Sequence, residues 1–210
     1  MNTTSYLEFG NRKAKFFNTM TTPIIIPTLS VIILLFFTAF SELHGEYKTQ
    51  TFWIYFIFSL LVPAILITLY RKYNGWTISE VEERERRNIP YTIAIVCYLI
   101  CYYLLLRYGI YYHLILPVIT ALFILVPCSF INQRWNISTH CAALGGATGL
   151  LFGYALRHFF FNPIWMLCFI ILLSGIVGTS QITLQKHTLT QTLAGYLLGI
   201  IASILSLVII

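Results

Sequence analysis

The reading of the chain turns on residues 91–131, YTIAIVCYLICYYLLLRYGIYYHLILPVITALFILVPCSFI. The run is about twice the roughly 20 residues that a helix needs to cross a hydrocarbon core, and its one charged residue is Arg107, followed by Tyr108 and Gly109. A basic residue just before a glycine is where a helix ends and a chain turns. The stretch therefore predicts a hairpin of two membrane-spanning helices. Outward from it the pattern repeats: Thr22 to Phe40 and Trp53 to Tyr70 predict two earlier spans, Cys141 to Phe159 and the run ending near Gly178 two later ones, and Thr188 to Ile210 a seventh. With 58% hydrophobic and 10% charged residues, the chain of 210 residues lies outside the soluble globular class. The expectation is an all-α, polytopic membrane protein of about seven transmembrane helices. Residues 1–20 read as a polar basic tail and 21–210 as one integral-membrane domain with no separate soluble unit.

The connections carry their own punctuation. Pro63 predicts a kink in the second span, Asn74-Gly75 a turn, and Thr77 with Glu80 a capping box opening a short interfacial helix. Pro90 marks entry into the third span, and Asn162-Pro163 a later turn. Trp53, Trp76, Trp135 and Trp165 fall at or near predicted span ends, where amphipathic rings favour the interface. The five cysteines sit in or beside apolar runs without a CxxC pair, which speaks against a disulfide framework and a thiolate metal site. The net charge of +6 is scattered over the loops, a pattern that fits lipid head groups or phosphate groups rather than nucleic acid. The first apolar run reads as a span, not a signal peptide. Asn2-Thr3-Thr4 and Asn136-Ile137-Ser138 match the glycosylation pattern, but matches this short are frequent by chance.

Two stretches share one design. WNISTHCAALGGATG (135–149) and SQITLQKHTLTQTLAGYLLG (180–199) each lead from polar residues through a histidine into a glycine-bearing helix. Two spans separate the charged segment 73–90 from the loop 132–140, and two more separate that loop from 180–187. An even number of crossings returns the chain to the same side, so all three polar segments share a face. His44, His113 and His158 fall on the opposite face and read as interfacial histidines. The shared face gathers two histidines, His140 and His187, with arginines, hydroxyls and amides, which are the parts of an anion site. Each part also has a plainer reading. Glu80 with Arg84 and Glu83 with Arg87 have the spacing of a solvated, salt-bridged helix; Arg84 and Arg87 at i,i+3 could equally clamp a phosphate. His140, beside Ser138 and Thr139, stands at a helix start that either caps locally or presents N–H groups to an anion. Gln191, four residues after His187, can bond one ring nitrogen and set its tautomer. Gly145, Gly149 and Gly153, and Gly195 with Gly199, have GxxxG spacing, so close helix packing would bring His140 and His187 face to face across one site. Polar groups gathered at one interface rather than at mid-membrane speak against a transporter.

Taken in order, these segments resemble the type 2 phosphatidic acid phosphatase (PAP2) superfamily, whose membrane enzymes share a histidine phosphate site with vanadium haloperoxidases. Ser180-Gln181, five residues, His187, three residues and Gln191 resemble the third motif of that family, and Ile137-Ser138-Thr139-His140 is similar to its middle motif. The first is looser, with Arg84, Arg87 and Pro90 similar to a compact bacterial variant and Glu80 where its lysine would fall. The likeness runs over about residues 50–205. It implies a PAP2/haloperoxidase-like helical core in the bacterial inner (cytoplasmic) membrane, and hydrolysis of a lipid phosphate or polyprenyl (pyro)phosphate without metal or cofactor. By the same resemblance His187 attacks phosphorus, His140 serves as general acid and base, and Gln191 orients His187. Arg84, Arg87, Ser138, Thr139, Ser180 and Gln181 then bind phosphate. Gln181 stands for the family's arginine and Gln191 for its aspartate, so a catalytically degenerate lipid-phosphate-binding or scaffold protein is the alternative. The site side carries Arg12, Lys13, Lys15, Arg71, Lys72, Arg84, Arg86, Arg87, Arg134 and Lys186, against Lys48, Arg107 and Arg157 opposite. The positive-inside rule would put that face in the cytoplasm, whereas the family more often has it outside.

Overall fold

The structure, a computed structural model, describes residues 24–37, 43–77, 80, 84–157 and 164–208. The tail 1–20, Glu83, His158 and the Asn162-Pro163 turn lie outside the described residues. Among those described, the regular elements are all helical: α1 (Ile25–Phe37), α2 (Gly45–Tyr73), a 3₁₀ turn at Arg84–Arg86, α3 (Asn88–Arg107), α4 (Tyr112–Asn132), α5 (Thr139–Arg157), α6 (Ile164–Thr183) and α7 (Leu189–Val208). Five of these, α2, α3, α4, α6 and α7, are long and apolar enough to cross a membrane. Their outer faces are rows of exposed aliphatic residues, such as Leu193, Leu197, Ile201 and Ile204 on α7, which suit a lipid bilayer. The described part of α1 has 13 residues, shorter than a span. The 19 residues of α5 include Gly145, Gly146, Gly149 and Gly153 with buried hydroxyls, so its apolar character is lower.

The α3–α4 hairpin ends as its sequence implies. Gly109 has φ +64°, the Ile110 N–H reaches Leu105 O at 3.0 Å and the Gly109 N–H reaches Leu106 O at 3.1 Å. That pair of bonds is a Schellman closure, with glycine in the left-handed position. The Asn74-Gly75 turn closes α2 in the same manner, with Trp76 N–H to Arg71 O at 3.0 Å and Gly75 at φ +69°. Near Pro63 the irregularity takes the form of a π-helical turn, Phe56–Leu61, just before the proline, and α2 runs on through it. Pro117 inside α4 has no N–H to give the His113 carbonyl; the Tyr154 hydroxyl of α5 donates to that oxygen instead.

Helix limits differ from hydropathy limits at two places. α2 begins at Gly45, so Glu46 and Lys48, expected in a loop, lie in its first turn. α6 continues past Gly178 to Thr183, so Ser180 and Gln181, expected in a polar connection, are helical. The cause is the same in both. Hydroxyls bond back to carbonyls one turn earlier, Thr49 to Gly45 at 2.8 Å and Thr183 to Thr179 at 2.8 Å, so polar side chains are satisfied within the helix and hydropathy does not mark its end. Trp53 in consequence lies two turns inside α2.

The centre of the fold is the crossing of α5 and α7, where the two glycine rows face each other. A methyl group on Gly145 would press on the Tyr196 backbone, one on Gly199 on the backbone of Ala142 and Gly146, and one on Gly195 on the Ser138 carbonyl. Backbone meets backbone there because no side chain intervenes. Hydroxyl pairs add polar ties within the bundle: Thr120 with Ser206 at 2.7 Å, Thr28 with Ser59 at 2.6 Å, and Tyr196 to Thr148 at 3.3 Å.

Candidate functional site

The polar segments meet at the end of the bundle where α3, α5 and α7 begin and α4 and α6 finish. His187 sits in the α6–α7 connection, held by a cap on either side. On one side α6 closes with Gln185 N–H to Ile182 O at 2.9 Å and Lys186 N–H to Gln181 O at 3.1 Å, and the His187 N–H also points to Gln181 O at 3.4 Å. This is the Schellman closure again, but its left-handed residue is Gln185, with φ +54°, instead of glycine. On the other side Thr188 caps α7 through a reciprocal box, Thr188 N–H to Gln191 Oε1 at 3.0 Å and Gln191 N–H to Thr188 Oγ1 at 3.4 Å. Left-handed backbone strains a non-glycine residue by about 1–2 kcal/mol, partly offset by glycine's greater chain entropy. Gln185→Gly is therefore expected to stabilise the fold by up to about 1 kcal/mol, read as a rise in unfolding temperature in detergent; a fall would contradict the strain argument.

The ring of His187 is buried, with 6% of the residue exposed. Its Nδ1 lies 3.0 Å from the main-chain carbonyl of Asn136. A carbonyl only accepts, so Nδ1 carries the proton and Nε2 holds the lone pair. Burial, and after it the positive charge of Arg87, lower the pKa of His187 to about 4, against the opposing hydrogen bonds of Asn136 and Gln191; Lys186 adds a smaller push downward. The imidazole is thus neutral at ordinary pH, as a nucleophile or base must be. Gln191, expected to bond the ring, does so through its side chain, while its Oε1 also accepts the Thr188 N–H of the α7 cap. The Asn136 carbonyl is the partner that decides the tautomer.

Asn136 also ties the other segments together. Its Oδ1 accepts from Arg87 Nη1 at 3.0 Å, and its Nδ2 donates to the Lys186 carbonyl at 3.3 Å. Arg87 is thereby placed beside His187. Arg86 turns elsewhere, its guanidinium 4.6 Å over the Trp76 ring, which itself lies edge-on to Tyr70. The Arg84 backbone is in the 3₁₀ turn, and its side chain is outside the described residues, as is the Glu83 partner expected for Arg87. The expected capping box does form: Thr77 N–H to Glu80 Oε2 at 2.6 Å and Glu80 N–H to Thr77 Oγ1 at 3.4 Å. These bonds hold the Glu80 carboxyl below its usual pKa.

Ser138 is the buried N-cap of α5, its Oγ accepting from the Cys141 N–H at 3.4 Å. Its own N–H points to the Gln191 carbonyl at 3.4 Å, which joins the start of α5 to the first turn of α7. Thr139 is buried against the Tyr91 hydroxyl, and His140 is half-buried in the first turn of α5. His140 and His187 therefore stand at the starts of two helices in backbone contact. Ser180 donates its hydroxyl back to Ile176 O at 2.7 Å, and the side chain of Gln181 is fully buried. Of the residues expected to bind phosphate, Arg87 stands beside His187 and Ser138 and Thr139 precede His140 at the start of α5, whereas the Ser180 proton is committed within its own helix.

Asn136 is the residue that sequence reasoning passed over, because it heads an Asn-Ile-Ser triplet that reads as a chance glycosylation match. The signal available was the amides of the 132–140 loop, Asn132, Gln133 and Asn136, among which the sequence singles out none. No family model, curated protein or solved structure matches this chain.

Proposed function

We propose that the protein is a membrane lipid-phosphate phosphatase of PAP2-like, seven-span architecture, with α1 and α5 completing the five apolar spans, and that it resides in a bacterial inner membrane. The observation that carries the reading is the His187 ring, buried and neutral with Nε2 as its lone-pair nitrogen, next to the Arg87 guanidinium. His187 Nε2 attacks phosphorus, forming a P–N bond as the P–O bond to the lipid alkoxide breaks; His140 protonates that alkoxide. His140 then takes a proton from water, whose oxygen attacks phosphorus as the P–N bond to His187 breaks, releasing inorganic phosphate and the neutral His187. Arg87, with Ser138, Thr139 and Arg84, stabilises the equatorial oxygens of the transferring group, where electrostatics contributes most. The substrate is a terminal phosphate monoester or pyrophosphate of a lipid or polyprenyl carrier. Release of phosphate from such lipids by purified protein in chelator tests the reading; no release from either class overturns it.

The pH dependence follows from His187. Its neutral form persists down to about pH 4, so the acid limb of kcat/KM is expected near pH 4 instead of near 6.5. The stability linkage has a matching sign. An unfolded histidine takes up its proton first as pH falls, so the contribution of this group to stability is complete above about pH 6.5 and declines between there and about pH 4. A kcat/KM profile with its acid midpoint at 6 to 7 would contradict the buried neutral assignment.

A second reading, a catalytically degenerate protein that binds or scaffolds lipid phosphates, is favoured by one observation: the neutral Gln181 occupies a fully buried position, where a catalytic arginine would be expensive to place. Robust turnover by the wild-type protein excludes it. Turnover that appears only after Gln181→Arg combined with Gln191→Asp supports it.

A further inference from the structure

We propose that Asn136 is the positioning residue of this site, holding His187 and Arg87 in register with each other; the inference rests on the reading of His187 as the reacting group. One residue makes three bonds to two other segments. Its carbonyl takes the His187 Nδ1–H at 3.0 Å, its Oδ1 takes an Arg87 N–H at 3.0 Å, and its Nδ2 gives a proton to the Lys186 carbonyl at 3.3 Å. The two carboxamide bonds settle the orientation of the residue, and with it the direction in which its carbonyl points. Few replacements can do the same. Aspartate keeps the acceptor for Arg87 but turns an anionic oxygen toward the Lys186 carbonyl, and glutamine is one methylene too long. Past Asn136, Ile137 and Ser138 are buried and the Ile137 N–H closes a turn on Trp135 O at 2.9 Å, so the loop has little room to compensate. A glycan on Asn136 would be attached at Nδ2, the atom that meets the Lys186 carbonyl, which argues against its use as an acceptor.

Among the described residues, the groups acting on the ring are Arg87 from the segment before α3, Lys186 from the α6–α7 connection, Gln191 from α7 and Asn136 itself from the α4–α5 loop. No anion is among these four. In Asn136→Ala the loop loosens, water reaches the ring and Arg87 is released. The entry of water and the release of Arg87, the two largest influences on the ring, favour the protonated imidazole and outweigh the weakened Asn136 bond, which acts the other way. In Asn136→Asp a carboxylate is added beside the ring, which moves the midpoint in the same direction and further.

The test is ¹⁵N imidazole spectroscopy of the full-length protein in micelles, alongside hydrolysis of a lipid phosphate monoester. In the wild type His187 is expected to hold the Nδ1–H tautomer. In N136A both tautomers should populate, with the midpoint moving up by a unit or more and kcat falling roughly tenfold to a hundredfold, the range seen when a supporting hydrogen-bond partner is removed. A wild-type tautomer and midpoint in N136A of unchanged thermal stability would overturn the proposal. If N136A does not fold, N136Q decides by the same spectrum: mixed tautomers support the role and a wild-type spectrum overturns it. The spectra need no turnover. A protein that hydrolyses no lipid phosphate yet shows the shift in N136A keeps the positioning role while the phosphatase reading falls.

Discussion

His187→Ala is expected to abolish phosphate release, with a loss of at least about 10³-fold in kcat, in a protein that still folds. In the proposed mechanism the nucleophile is the one group whose removal leaves no route to the phosphohistidine, so the drop should far exceed that of any binding residue. Folding should survive because the ring makes one main-chain hydrogen bond, to Asn136 O, and such a bond contributes only about 1 kcal/mol net. His140→Ala is expected to lose roughly 10²–10⁴-fold, the size of a general acid–base contribution. The effects should depend on the leaving group: an activated aryl phosphate, which departs without a proton, should recover much of the rate in His140→Ala and none in His187→Ala. Measured in chelator by phosphate release, wild-type rates in both variants would end the histidine mechanism.

Gly199→Ala is expected to destabilise the fold by about 3 kcal/mol or more, at the upper end of overpacking effects. A Cβ there would lie 2.6 Å from Gly146 N and 2.9 Å from Ala142 C. Both are helix backbone, and neither can rotate away as a side-chain tip could. The helices α5 and α7 would have to separate, and because Gly195 rests on the Ser138 carbonyl at the same crossing, the start of α5 would move with them. Activity should therefore fall along with stability. Gly175→Ala is the control, since nothing lies within 4 Å of its added Cβ. There the higher helix propensity of alanine should leave stability unchanged or raised by up to about 1 kcal/mol. Unfolding temperatures in one detergent compare the two, and equal behaviour would remove the glycine crossing from its central place.

Hydropathy and parity made much of this legible in advance. The 91–131 run contains its own break, and Gly109 is left-handed because the chain must reverse where the apolar stretch exceeds one membrane thickness. Even numbers of crossings placed residues 73–90, 132–140 and 180–187 on one face, and the Arg87–Asn136 and Asn136–His187 bonds join all three segments. The spacing of Thr77 with Glu80 signalled a real box, as local hydrogen bonds are written in local sequence. Helix ends were less legible at Gly45 and Thr183, because polar residues whose hydroxyls bond within the helix lie in it past the point where the apolar residues stop.

By itself, the sequence determined what depends on composition and on neighbours in the chain: an all-helical bundle suited to a bilayer, its turns, and which polar segments share a side. Tertiary structure alone decided which group meets which. Asn136 lies 49 residues from Arg87 and 51 from His187, and no local pattern reports a hydrogen bond over that separation. The tautomer of His187 and the burial of Gln181 have the same origin. Each is settled by how closely the glycine faces of α5 and α7 let the helix starts approach, a distance that exists only once the helices have packed.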